Sequence, residues 1–220
     1  KFRAKGVHDS FRTNNTLNTY KNKKYETIRV DFNKRVITLP KLKEVKFRGY
    51  RTTKEIMEVA NNVINKLPEF EKKYIVLGEP VIDRKNSVNI KKNKNIDELI
   101  SSINNRINEY LQNDYKSIAI IGKDMNECEE IEKKLRKTRK DIKLIKGKDS
   151  EYNSGISVVP SYLAKGLEFD CVIISNANEE KYTYSSLDIK LLYVTITRAM
   201  SKLDIFYTGE ITGLLKNIVL

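Results

Sequence analysis

The chain has 220 residues, enough for one sizeable hydrophobic core and an appendage. Lys and Arg number 42 against 29 Asp and Glu, and the resulting net charge of +13 suits a polyanionic partner. Two cysteines, Cys128 and Cys171, one isolated His8 and no apolar run near the ~20 residues of a bilayer span argue against zinc-finger, disulfide-framework and membrane classes; with no signal peptide visible, the expectation is a cytoplasmic protein without metal or membrane partner.

Residues 1–46 differ in composition from the rest. Lys1 to Lys24 is strongly basic and rich in Asn and Thr, with scattered aromatics. Such a segment is either a nucleic-acid-binding arm or a poorly ordered tail. Two alternating pieces follow, Tyr25 to Val30 and Arg35 to Leu39, and the turn-like Asp31 to Lys34 between them predicts a β-hairpin. Pro40 to Phe47 is a candidate third strand.

From residue 51 the pattern becomes α/β. Thr53 is a credible N-cap for a helix with Ile56, Val59, Ala60, Val63 and Ile64 on one face, ending before Pro68. Tyr74 to Leu77 reads as a strand, and Val81 to Asn95 as a polar linker without period. A helix from Asp97 aligns Leu99, Ile100, Ile103, Ile107, Tyr110 and Leu111, and Ser117 to Ile121 predicts a buried parallel strand. Gly122-Lys-Asp124 weakly suggests a phosphate loop but lacks the GxxxxGK[ST] pattern. A charged helix over Asp124 to Lys140 carries Met125, Cys128, Ile131 and Leu135 in one stripe. The basic run 133–143 at its end is a solvated helix end or a nucleic-acid contact. Further strands are expected at 142–145, 156–159, 171–175 and 202–207, with an exposed loop over Asn178 to Ser186. Alternation of this kind predicts a mostly parallel sheet covered by helices on both faces.

Two stretches carry most of the chemistry. Val158 to Asp170 (VVPSYLAKGLEFD) places Ser161, Tyr162, Lys165, Gly166 and Glu168 between two apolar strands, where the edge of a parallel sheet binds ligands. Gly166 permits close backbone approach, and Lys165 offers a cation to phosphate. On spacing alone an ordinary glycine-containing loop is the simpler reading. Leu191 to Met200 (LLYVTITRAM) forms a helix apolar nearly all round, hence buried. Arg198 at its end either complements the helix dipole or faces a phosphate.

AKGLEFDCVII followed by LLYVTITRA resembles motifs V and VI of superfamily 1 helicases of the UvrD/Rep/PcrA type, in the right order and before a final strand. PSYLAKGLEFD with TRAMSKLDIFYTGE is similar to the HelD branch, motors associated with RNA polymerase. Phe47 to Ile56 resembles motif IV. The resemblance implies a RecA-like, P-loop NTPase-type second motor domain over residues 47–220. Its ATP-site residues would be Tyr50 at adenine, Arg51 and Arg198 at the γ-phosphate, Glu168 at the ribose, and Gly166; Arg51 and Arg198 are the catalytic pair. Ser161, Tyr162 and Lys165 would lie against nucleic acid. Pro160-Ser161-Tyr162 stands where many relatives carry Thr-x-His.

Residues 1–50 also resemble the N-terminal part of TnpB-type transposon-encoded nucleases, a part that helps hold guide RNA. The overlap with motif IV falls at Gly49-Tyr50-Arg51. A transposon–helicase gene fusion and a fortuitous match are the two explanations. No Walker A lysine or Walker B Asp-Glu pair occurs in the 220 residues. ATP with Mg²⁺ would therefore be completed by a first motor domain as partner, alongside DNA, RNA or RNA polymerase. The chain is expected not to hydrolyse ATP alone. The rival expectation is a non-catalytic nucleic-acid-binding module or a remnant of the fusion.

Overall fold

The computed structural model describes residues 26–32, 35–41, 48–72, 79–83, 86–147, 154–216 and 218. The chain divides into two compact units, Lys1–Val45 and Lys46–Leu220. In the first, β1 (Glu26–Phe32) and β2 (Arg35–Lys41) form an antiparallel hairpin. Its register sets Ile28 opposite Leu39 and Val30 opposite Ile37. Pro40 and Lys41 belong to β2 rather than to a new strand, since Pro40 pairs with Thr27. The basic stretch 1–24 and the rest of the expected third strand, 42–47, lie outside the described residues, as does the strand expected over 74–77.

The second unit is an α/β layer fold. Six parallel strands run in the order β5 (Val88–Asn93), β10 (Ala199–Thr208), β9 (Phe169–Ile174), β6 (Ser117–Gly122), β8 (Gly155–Pro160) and β7 (Ile142–Leu144). A separate parallel pair joins β3 (Arg48–Thr53) to β4 (Glu79–Ile82). The polar stretch 81–95 thus contains β5 and part of β4 instead of being a structureless linker. β5 is an edge strand, and its Lys91 and Lys92 are exposed; charge on an edge discourages further strand addition and hides the strand period.

Helices cover both faces. On one, α1 (Lys54–Ile64) and α5 (Ser186–Ile196) share a core with Ala119, Ile121, Val172, Ile174, Leu203 and Ile205. On the other, α3 (Ile96–Gln112) and α4 (Met125–Leu135) pack on Ile118, Ile120, Ile156, Val158, Cys171 and Ile173. Alternate residues of β6 therefore serve opposite cores, which is why Ile-Ala-Ile-Ile reads as one continuous apolar run. A single turn, α2 (Glu69–Lys72), follows α1. Thr53, Asn95, Asp124 and Ser185 cap the four longer helices with side-chain oxygens. The charged helix ends at Leu135, five residues before the expected Lys140, and Leu111 at the end of α3 is exposed. Among the described residues no helix is long and apolar enough to cross a membrane, and no group of His, Cys, Asp or Glu could hold a metal ion.

Candidate functional site

Parallel topology assigns the predicted site residues to two edges of one sheet. Residues 161–168 leave the C-terminal end of β8 and return to the N-terminal start of β9, with β6 lying between. Each of these strands has six residues, so the segment must cross a sheet about 20 Å deep. A connection this short has little slack.

At the C-terminal edge the segment begins with one 3₁₀ turn, Ser161–Leu163. Ser161 is fully buried, and its hydroxyl donates to the carbonyl of Lys123 at 2.7 Å. That bond fixes the turn and leaves Tyr162 and Lys165 as the exposed members of the trio. Gly166 adopts φ +88°, a backbone conformation that side chains rarely tolerate, and the space a Cβ would enter is open.

At the N-terminal edge, Glu168 and Arg198 come together. Phe169 N–H donates to the Arg198 carbonyl at 3.0 Å, and Ala199 pairs with Phe169 where β9 and β10 begin. The Arg198 guanidinium uses three of its five N–H donors on protein. Nε donates to Val194 O at 3.1 Å, Nη1 to Leu167 O at 3.1 Å and Nη2 to Thr197 Oγ1 at 3.2 Å. The side chain is thereby fixed, and among the described residues each terminal nitrogen keeps one N–H without a protein partner. Burial pushes the guanidinium below its usual value, while Glu168 and Tyr193 favour the cation. It stays charged in the working pH range.

Tyr50 and Arg51 lie on β3, and their side chains are outside what the structure describes. Their neighbour is informative. Buried Thr52 donates its hydroxyl to the carbonyl of Ala199 at 3.2 Å, so the β3 backbone runs past the residue that follows Arg198. The next residue, Thr53, accepts from Ile56 N–H and opens α1. In the first turn of α1 the Glu55 carboxylate takes three consecutive backbone N–H groups, those of Asn86, Ser87 and Val88. Thr52 and Glu55 together anchor this strand–helix corner to the start of β10 and β5.

Sequence reasoning missed a second buried polar cluster, at the C-terminal edge. Lys123 ion-pairs with Asp188 at 2.7 Å, and Lys181 with Glu127 at 2.8 Å. Ser175 donates to Glu127 at 2.6 Å, and Thr183 donates to Asp188 through both its amide and its hydroxyl. The stretch 178–186 is therefore not simply an exposed loop: Asn178 and Tyr182 are buried in it. Lys123 is engaged by Asp188 instead of standing open in a phosphate loop. The basic run 133–143 is likewise partly structural. Arg139 forks onto Asp141 and reaches Asn104 and Asn108; Arg136 bonds Glu132 and the Ile142 carbonyl. Nothing local in the sequence marks these partnerships, because the partners sit on different elements.

The segment that joins both edges lies within a match to a known family. Residues 155–205 match the UvrD-like helicase C-terminal domain family. They run from the start of β8 through the crossing segment and α5 into β10. The fold is similar to the crystal structure of the C-terminal domain of a possible DNA helicase from Lactobacillus plantarum WCFS1, at 28% identity and a TM-score of 0.63. That match covers 78% of this chain and 94% of that one. An arterivirus nonstructural protein 10 helicase, solved with DNA, aligns at 10% identity and a TM-score of 0.38, over 84% of this chain and 39% of that one. No curated protein sequence matches. The parallel sheet with helices on both faces bears out the α/β expectation and is similar to that helicase C-terminal domain in its fold.

Proposed function

We propose that this chain works as the second RecA-like domain of a superfamily 1 helicase or translocase, contributing one side of an ATP site and part of a nucleic-acid track. The observation that carries this reading is a fixed, half-buried Arg198 at the N-terminal sheet edge, bonded to Leu167 and Phe169 on either side of Glu168 and beside the β3 backbone that bears Tyr50 and Arg51. A guanidinium with two donors free suits the γ-phosphate of ATP, and an adjacent carboxylate suits ribose hydroxyls. The residues present fit that part of ATP. Mg²⁺ and the phosphate cradle would fall to a first motor domain. ATP bound there would supply a transferable phosphoryl group. Arg198, with Arg51, would offset the charge that develops on it, Gly166 would let the backbone approach, and Glu168 would orient the sugar.

Exposed Tyr162 and Lys165 form the nucleic-acid side, by stacking and phosphate contact, with Ser161 holding their turn. A HelD-like role at RNA polymerase and a TnpB-derived origin for residues 1–50 rest on the sequence resemblance. The competing reading is a binding module that acts through the basic N-terminal segment. Fluorescence anisotropy with labelled single-stranded DNA and RNA separates the two. The helicase reading expects salt-sensitive binding that survives deletion of residues 1–46 and weakens about tenfold when Tyr162 and Lys165 are both changed to Ala. Binding that disappears with residues 1–46 and ignores the double variant would establish the module instead.

A further inference from the structure

We infer that Lys123 is a positioning residue: it latches the turn carrying Tyr162 to the N-terminal end of α5, so that nucleic acid on the crossing segment is sensed at Arg198. The inference rests on the nucleic-acid reading of Tyr162 and Lys165 given above. Lys123 follows the last residue of β6 and joins several segments by itself. Its carbonyl accepts from Ser161 Oγ at 2.7 Å, and its amide donates to Glu127 Oε2 at 2.9 Å at the start of α4. Its ammonium pairs with Asp188 in the first turn of α5, bonds the carbonyl of Lys181 and lies 5.5 Å from the ring centre of Tyr182. The Asp188 side chain is only 7% exposed, so this pair is not a loose surface contact.

The far end of the same segment is tied to the far end of the same helix. Leu167 O holds Arg198 Nη1, and Val194 O in the last turn of α5 holds Arg198 Nε. Residues 161–167 therefore stretch between two anchor points tied indirectly to α5, Ser161 through Lys123 to its first turn and Leu167 through Arg198 to its last, across a helix of 11 residues and about 16 Å. Tyr162 and Lys165 lie between the anchors. A ligand that draws on them cannot be accommodated by slack at the Ser161 end while the latch holds. The displacement passes instead to Leu167 O, and with it to the guanidinium. Opening the latch leaves the binding side chains in place and removes the transmission.

The Nε–Hε resonance of Arg198, assigned by its loss in Arg198→Lys, reports this directly in the full chain. The probe is a single-stranded oligothymidylate titrated to saturation. In the wild type the resonance should shift on binding. In Lys123→Met, affinity should stay within about twofold of wild type while the shift is lost. Lys123→Arg, which keeps the ion pair, should restore it, and Asp188→Asn provides an independent opening of the latch if Lys123→Met fails to fold. A full shift in folded Lys123→Met or Asp188→Asn overturns the latch and leaves the nucleic-acid reading intact. Binding without any wild-type shift does the same. Absence of binding by the wild type removes the nucleic-acid reading and the latch together.

Discussion

Asp188 and Asp204 are both buried carboxylates, and folding moves their protonation in opposite directions. Burial alone would raise the Asp188 carboxyl, but hydrogen bonds from Lys123 and Thr183 outweigh it, and the group ends below its usual value. The stability it contributes is present above the ordinary aspartate range and is lost as pH falls through the lowered value. Asp188→Asn should cost about 2 kcal/mol at neutral pH and flatten the acid limb of the denaturation curve, measured by urea unfolding between pH 3 and pH 7. A variant with the same acid limb as wild type would remove Asp188 from that balance. Asp204 behaves oppositely. Burial raises its carboxyl despite hydrogen bonds from Tyr110 and Asn89 and the charge of Arg106. The folded state holds this proton more firmly than the unfolded chain, so its contribution falls as pH rises from the ordinary carboxyl value through the raised one. Asp204→Ala leaves Tyr110 and Arg106 without their buried partner and should lower stability by about 3 kcal/mol in the same assay. Neither carboxylate was legible as a partner in the sequence, because each pairing joins elements distant along the chain. Glu168 and Arg198 could be singled out as candidates, since each lies in its own contiguous stretch that resembles a known motif.

The crossing segment and α5 act as a unit because they are joined at both ends. Gly166 is the one point of that segment with positive φ. Gly166→Ala meets no atom within 4 Å, so its cost is backbone strain of about 1 kcal/mol, read as a lowered melting temperature in calorimetry. An unchanged melting temperature would mean that the segment relaxes freely. At the β3–α1 corner, Thr53→Ala should cost about 1 kcal/mol by removing the cap of α1. The long periodic helices and the β-branched strands β6, β8 and β9 could be read directly from residue pattern. β5 could not, because an edge strand carrying two exposed lysines has the composition of a linker. Tyr182 was also misplaced: its neighbours are polar, but the ring packs under Lys123 in the core. The helix expected over Leu191 to Met200 begins earlier, at Ser186, and ends at Ile196, and Ala199 starts β10; Leu187 is exposed on its first turn.

Both cysteines lie in the same helix-covered face of the sheet, fully buried, and burial pushes the Cys128 thiol up to about 12. Cys171 moves the same way for the same reason. Thiol reagents should therefore react only as fast as this core opens, giving a chemical clock for global unfolding of the α/β unit. Rapid modification in native buffer would show that the α3–α4 layer opens independently. On the scale of the molecule, the two sheet edges hold different candidate residues: Glu168 and Arg198 at the N-terminal edge, and exposed Tyr162 at the C-terminal edge. Steady-state ATP turnover by the purified chain, with and without single-stranded DNA or RNA, tests most directly whether it holds one side of an ATP site and no more. No turnover under any of these conditions is the predicted result. Turnover that nucleic acid stimulates and Arg198→Ala abolishes would mean that a complete site exists in these 220 residues, and would contradict the half-site assignment.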